Sequence, residues 1–493
     1  DPTGTGVTGT GTGAEPLLTG PIAAAAGSGE RPRISPRVRL LFERFAIAVG
    51  VFVVAVLAER RTRPRETRAP TAPAEAVERR TVAVALPGGE DASAWFDQGG
   101  REVMERACRC RLDARRYRRA SEVSAWLRDG RVDVAAVSSV EALVMARSGA
   151  VRRLEPLLKG ADIGDDTRGV TSGAEGDGRY VVPVVADVAA LAYRPEAVRE
   201  ATAGFTAARA GLEVRLREVT GKGLPAGFAL REDVSEWTTW DLLAAAWSWR
   251  SRAGAGRLWF PSRAGGDAVL AWTARAAATH GGSRVFGADE GSVLVAAWSA
   301  VHSATGVLHP GVREGEDGSR ALGDARVAAA VVPASAVGRW GEGFVLAGVP
   351  RGDDVVLDGA GDPQHIGARV CTGIAWGWVV GRGSPQPGHA VRALVAGASR
   401  ETAQVWSHAT ATLALRRDAQ PPGEVSRRRV WDHQRAALDA GCGFLAVNPG
   451  ASAEDLDARA ERVRAVWELV TSGEFVPRVD VGALGAQARA RLR

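Results

Sequence analysis

Lysine is nearly missing from this chain: of 63 cationic side chains, only Lys159 and Lys222 are lysine. The 493 residues also hold just 2 Met, 3 Tyr and 4 Cys. An Arg-for-Lys bias together with abundant Ala and Gly reflects a G+C-rich coding sequence more than selection for a cationic surface. The net charge of +6 is shallow. Nucleic-acid binding needs cations gathered on one face, and after residue 80 the arginines alternate with Asp and Glu, so no nucleic-acid partner is expected. Cys108, Cys110, Cys371 and Cys442 form no CxxC and no Cys/His pair at zinc spacing, so neither a redox dithiol nor a structural zinc site is expected. Cys108 and Cys110 straddle the start of a candidate strand, where side chains two apart diverge too little to bridge easily, and buried free thiols are the expectation. The sequence also lacks GxSxG, HExxH, GxxxxGK[ST] and a dinucleotide glycine fingerprint in a strand–turn–helix setting. Its seven histidines include no i, i+4 pair. The expectation is therefore a non-enzyme with no cofactor and no metal.

Hydrophobic content of 45% with 24% charge is a globular composition, and the length suits two or three domains. Residues 1–44 form a Gly/Thr/Ala-rich leader with a basic run from Arg31 to Arg44, too poor in apolar surface to order itself. Phe45 to Ala58 is uninterruptedly apolar. As a helix it spans roughly 21 Å, short of the roughly 30 Å hydrocarbon core. It reads as the apolar core of a secretory signal, with small residues Val56 and Ala58 at a cleavage position, or as an uncleaved anchor. Either sends the body out of the cytoplasm, and with no Cys following the run a lipoprotein anchor is excluded. Residues 59–80 are an Arg/Pro/Thr/Ala linker.

The folded part opens with a β-rich run, Thr81 to Leu86, closed by Pro87-Gly88-Gly89. Helical spacing follows over 91–108, weak alternation from Cys110 to Arg116, helical spacing from Ser121 to Leu127, and a β-rich run from Arg131 to Val137. Strand, helix, strand, helix, strand predicts a parallel, doubly wound sheet with its crevice at the carboxyl ends of the strands. Gly88–Glu90 and Ser138–Glu141 fall at that crevice.

Several segments then resemble, in order, the extracellular solute-binding family that includes maltose-binding protein. They are Val132-Asp133-Val134, Leu154 to Leu158, Asp177 to Pro183, Leu191 to Val198, Trp237-Thr-Thr-Trp240-Asp-Leu-Leu, His280-Gly-Gly282 with Phe286, Asp324 to Val332, Phe344 to Pro350 and Gly373 to Val380. Arg194 stands where the family usually has Asn and Val132 where it usually has Pro. The colinear order, covering about 81 to 490, carries the resemblance; no single motif does.

The resemblance implies an α/β, two-lobed periplasmic-binding-protein type 2 fold, each lobe a mostly parallel sheet flanked by helices. It puts the N-terminal lobe at 81–190 plus 373–415 and the C-terminal lobe at 191–372 plus 416–493, with 201–236 as an insertion. It also implies a monomer that captures a small solute, a sugar or oligosaccharide, between hinged lobes and delivers it to the permease of an ATP-driven importer. A membrane-anchored sensor or a carbohydrate-active enzyme on the same body are the alternatives. Asp187 matches a family position where a carboxylate accepts hydrogen bonds from sugar hydroxyls. Glu90, Ser138, Ser139 and Glu141 are candidates at the crevice, although an N-cap explains either serine equally well. With 15 tryptophans in the chain, stacking on sugar faces is available. Trp376 and Trp378 share a face of one strand, and Trp259 with Asp267 is the candidate contribution of the second lobe. Ser335 falls near a family stacking position and cannot stack.

Overall fold

The computed structural model describes residues 80–159, 163, 178–262, 266–280, 290–315, 318–352, 371–445, 450–472 and 478–493. The chain divides into two units, Asp1–Val77 and Glu78–Arg493. The leader, the apolar run 45–58 and most of the linker lie outside the described residues, as does His280-Gly-Gly282 beyond its first residue's backbone. Among the described residues no helix is long and apolar enough to cross a membrane.

Among the described residues ten strands organise the second unit: β1 Thr81–Pro87, β2 Arg111–Tyr117, β3 Val134–Ser138, β4 Val182–Tyr193, β5 Leu258–Trp259, β6 Ala329–Pro333, β7 Val345–Ala347, β8 Thr372–Val380, β9 Leu413–Ala414 and β10 Gly443–Phe444. Seven of them run in the order β2-β1-β3-β8-β4-β6-β5, while β10 pairs with β8, and β7 and β9 pair with β4. The β2-β1-β3 portion is parallel, as its strand–helix alternation requires. The expectation of mostly parallel sheets fails beyond it. β8 is antiparallel to β3 and to β4, and in the second lobe β4 is antiparallel to β6 and β7 while β5 is parallel to β6. The reason is topological: strands that carry the chain out of one lobe and back into it must run in opposite directions.

β4 is the key element. Its first part, Val182 to Val188, pairs with β8, and its last part, Ala189 to Tyr193, pairs with β6. One strand thus serves two sheets, with the change of partner between Val188 and Ala189. Around the first sheet lie two apolar clusters, one containing Val82, Leu86, Trp95, Trp378 and Trp406, the other Val123, Leu127, Val137 and Val379. A separate, larger cluster holds Leu191, Trp240, Trp259, Trp298, Val331 and Trp467. Two cores joined by a shared strand make the two lobes.

The stretch 201–236 is largely an ordinary element. It contains most of a helix, Pro195–Thr220, begun by a proline at a first-turn position where its missing N–H costs nothing, and ended by Gly221 at φ 80°. Phe205, Leu212, Leu216 and Val219 point its apolar stripe inward. The helix packs on Thr239–Ala253, where Trp249 Nε1 donates to Ala197 O at 2.7 Å and Trp247 Nε1 to Ala208 O at 3.0 Å.

The cysteines overturn the free-thiol expectation: Cys108 is joined to Cys110 and Cys371 to Cys442. Cys108 ends the helix Arg101–Cys108 and does not lie on the strand. Arg109 takes a left-handed conformation, φ 53°, which turns the chain and sets the two Cα atoms 5.2 Å apart.

Candidate functional site

The N-termini of the helices Ala120–Arg128 and Ser139–Arg147, which follow β2 and β3, meet the second lobe. Ser138 ends β3 and caps the helix Ser139–Arg147; its Oγ accepts from Glu141 N at 3.2 Å, and Glu141 Oε2 accepts from Ser138 N and Oγ, each at 2.8 Å. Tyr117 Oη also donates to Glu141 Oε2, at 3.4 Å. This reciprocal capping box absorbs both side chains, which are buried. Two candidates from the sequence are thus holding a helix end. Ser139, the next residue, differs: its Oγ is buried and has no hydrogen-bond partner among the described residues.

Asp187 lies inside β4 opposite Ile374 and is 2% exposed. Its Oδ1 accepts from Val188 N at 2.9 Å, from Ser335 N at 3.1 Å and from Gln434 Nε2 at 3.1 Å. Ser335 is in the first turn of the helix Ala334–Trp340, and Gln434 belongs to Val425–Asp439. Asp187 therefore ties the crossing strand to two helices of the second lobe. Burial raises its pKa from 3.8 to about 6, opposed by Ser335 and Arg339 and reinforced by the charge of Asp267. Because the folded value lies above the unfolded one, ionisation costs stability as pH rises from about 4 through 6, and the loss is complete above it. The full shift corresponds to roughly 3 kcal/mol. Asp187→Asn keeps an Oδ1 acceptor and removes that charge. The variant is expected to gain on the wild type by up to about that amount between pH 4 and pH 7, read from urea midpoints at the two values. Parallel pH profiles for the two proteins would refute it.

The aromatic candidates separate. All tryptophans but Trp126, Trp340 and Trp376 are buried. Trp378 is 0% exposed, with Trp95 and Trp406 as edge-on ring neighbours, and Trp259 is 1% exposed in the second lobe's core. Both are corrected from cleft positions to core positions, because large apolar surface on a two-sided sheet is buried by the helices above it. Trp376 is half-buried, packs against the first sheet's core cluster, and registers with Ser138 on one side and Val185 on the other. Asp267 is exposed in the first turn of Gly266–His280. Glu90 opens the helix Glu90–Trp95, and its side chain lies outside the described residues.

The lobes also touch through residues that carry no sequence motif. Val140 and Val144 of the first lobe meet Leu270, Ala274 and Leu456 of the second over Ala189 of β4, forming an apolar seam. Beside it Asp457, on the helix Ala453–Thr471, accepts hydrogen bonds from Ala120 N, Ser121 N and Ser121 Oγ, so a second-lobe carboxylate caps the first-lobe helix Ala120–Arg128. A carboxylate at a helix N-terminus meets unsatisfied N–H groups and the positive end of the helix dipole. These partners are more than 300 residues apart in sequence, and only the fold reveals them. Among the described residues no cluster of His, Cys, Asp and Glu could hold a metal.

Two α/β lobes that share β4 make a fold also found in solved solute-binding proteins. No protein-family model and no curated protein matches the sequence. Solved structures do. The GacH receptor of Streptomyces glaucescens, described unliganded and in complex with acarbose, is 18% identical, with 84% of this chain and 98% of that chain covered at a TM-score of 0.55. The maltose-bound MalE3 of T. maritima is 11% identical over 84% and 98%, TM-score 0.59. UgpB from Mycobacterium tuberculosis, in complex with glycerophosphocholine, is 14% identical over 84% and 97%, TM-score 0.57.

Proposed function

We propose that this chain is an extracytoplasmic binding protein, not an enzyme, that takes a small solute between its lobes and presents the loaded form to an importer's permease. The observation carrying this reading is β4, one strand shared by two sheets, whose partner changes between Val188 and Ala189. Such a strand lets two rigid lobes rotate about a few backbone dihedrals, and a ligand touching both lobes favours the closed state by the difference in its contacts. Sugar or oligosaccharide is the proposed cargo, as in several of the similar structures. The side chains proposed to meet it are Ser139, Trp376, Asp267 and Glu90. The capping box of Ser138 and Glu141, and the buried Asp187, position the crevice walls. Two disulfides fit an oxidising compartment outside the cytoplasm. The lobes and boundaries proposed are those of the sequence reading, 81–190 plus 373–415 and 191–372 plus 416–493, with the protein working as a monomer.

The test is thermal unfolding of the full chain against mono-, di- and oligosaccharides and a glycerophosphodiester. A binder at 100-fold ligand excess over Kd gains about 2.7 kcal/mol, a shift of several degrees. Stabilisation with the sugar recovered intact is expected. Hydrolysis of the sugar would transfer the chain to the carbohydrate-active enzymes, and a flat response across the panel would sink the sugar assignment.

A further inference from the structure

The second lobe has a small, partly open cavity between the start of Thr239–Ala253 and the helices Gly266–His280 and Glu290–Thr305. Thr239, Arg275, Thr279, Trp298, His302 and Val331 are among the residues that line it, and it has room for about one water-sized species. Arg275 is the unusual member. It is 8% exposed, and among the described residues it pairs with no carboxylate; its guanidinium carbon stands 4.0 Å from the centre of the Phe260 ring. Burial lowers its pKa to about 9, which still leaves it charged at neutral pH. The aromatic face offsets part of that charge, but an isolated cation in apolar surroundings ordinarily calls for a counter-charge.

Among the described residues the neighbouring groups do not supply one. His302 is fully buried, and its Nδ1 donates to Trp298 O at 2.6 Å, so the neutral ring leaves Nε2 bare and without a partner. Burial and the adjacent Arg275 hold its pKa at about 3. Asp241, the acid in the first turn of Thr239–Ala253, is already taken: its Oδ2 accepts from Arg231 Nη1 at 2.6 Å, Thr238 Oγ1 at 2.8 Å and Thr238 N at 2.9 Å, and its Oδ1 from Arg231 N at 3.1 Å. The two threonine hydroxyls donate elsewhere, Thr239 Oγ1 to Arg351 O at 3.2 Å and Thr279 Oγ1 to Arg275 O at 2.6 Å. What remains is a fixed positive charge facing a one-atom space at the N-terminal, positive end of a 15-residue helix.

We propose that this cavity is a halide site in which chloride is held by the Arg275 guanidinium as its counter-ion. The water-sized space favours a monatomic anion over sulfate, phosphate or a carboxylate. A halide bound only in the folded state stabilises the second lobe by mass action, independently of any solute in the crevice.

The full chain is unfolded thermally in sodium chloride, sodium bromide and sodium gluconate at equal ionic strength. The halides are expected to raise Tm over gluconate by roughly 3 °C. Arg275→Met, close in volume and uncharged, is expected to lose that difference. In crystals soaked in bromide, an anomalous peak is expected within hydrogen-bond distance of Arg275 Nη. Equal Tm in chloride and gluconate, a halide response retained by Arg275→Met, or a cavity without an anomalous peak would each overturn the proposal. Should the Met variant fail to fold, the bromide peak in the wild-type protein decides.

Discussion

Trp378→Ala is expected to lower stability by about 4 kcal/mol and to leave solute recognition unchanged once the protein is folded, whereas Trp376→Ala does the reverse. The two residues are neighbours on one face of β8, yet their surroundings differ. Trp378 is wholly enclosed: its ring centroid lies 6.2 Å from that of Trp95 and 6.1 Å from that of Trp406, which stack on each other at 4.5 Å. A Cβ on Gly397 would come within 2.3 Å of its Nε1, so the helix above presses directly on the indole. Deleting it opens a cavity that close packing cannot refill, and the loss is transfer energy plus the cavity term. Trp376 is only half-buried, so truncation costs less, about 1 kcal/mol of stability. On the proposed function it removes a stacking surface, and binding of the stabilising sugar should weaken about tenfold or more, a loss of at least 1.4 kcal/mol. Urea unfolding and ligand titration of both variants read the two effects separately. Equal destabilisation by the two substitutions would contradict the core assignment, and unchanged sugar affinity in Trp376→Ala would remove it from the proposed site.

The contrast also shows what the amino-acid order makes visible. The β-rich runs 81–86, 131–137 and 373–380 are legible as strands because each fills a sheet covered by helices, and such strands read as continuous apolar stretches. The parallel β2-β1-β3 order is legible too, since it follows from strand–helix alternation. Residues 201–236 hide an ordinary helix whose Phe205, Leu212, Leu216 and Val219 recur at helical spacing, a signal present in the sequence. The fate of individual polar groups is a different matter. Asp187 is as polar on paper as any loop acid, and its partners Ser335 and Gln434 lie 148 and 247 residues away. The cap of Ala120–Arg128 by Asp457 is likewise a tertiary choice. Tryptophan counts say nothing about which indoles reach solvent, and here almost none do. Cys108 and Cys110 pair because one intervening residue takes a left-handed conformation, which no propensity announces for an arginine.

The second disulfide should dominate the stability of the body. Cys371 immediately precedes β8 and Cys442 immediately precedes β10, with a sequence separation of 71. The two strands run parallel, Gly443 opposite Thr372 and Phe444 opposite Gly373, held by Gly443 N to Cys371 O at 3.2 Å and Leu445 N to Gly373 O at 2.8 Å. The bond therefore joins the strand that returns to the first lobe with the segment that leaves the helix Val425–Asp439, beside Asp187 and its Gln434 partner. Closing a loop of that length removes unfolded-state entropy worth on the order of 4 kcal/mol, against roughly 2 kcal/mol for the short ring of Cys108–Cys110. Strand pairing of only two residues cannot hold that junction alone, since an isolated short pair is marginal in water. The Cys371→Ser, Cys442→Ser double variant is thus expected to lose about twice the stability lost by the Cys108→Ser, Cys110→Ser pair, with urea unfolding under non-reducing conditions as the measure. Because the bond sits where β8 and β10 meet the crossing strands, its loss should also expose the Asp187 cluster. The pH dependence between about 4 and 6 should then shrink, as solvent reaches the carboxyl and its pKa falls back toward 3.8. A double variant as stable as the wild type, or one with an unaltered pH profile, would show that the hinge is held by packing and hydrogen bonds without the covalent link.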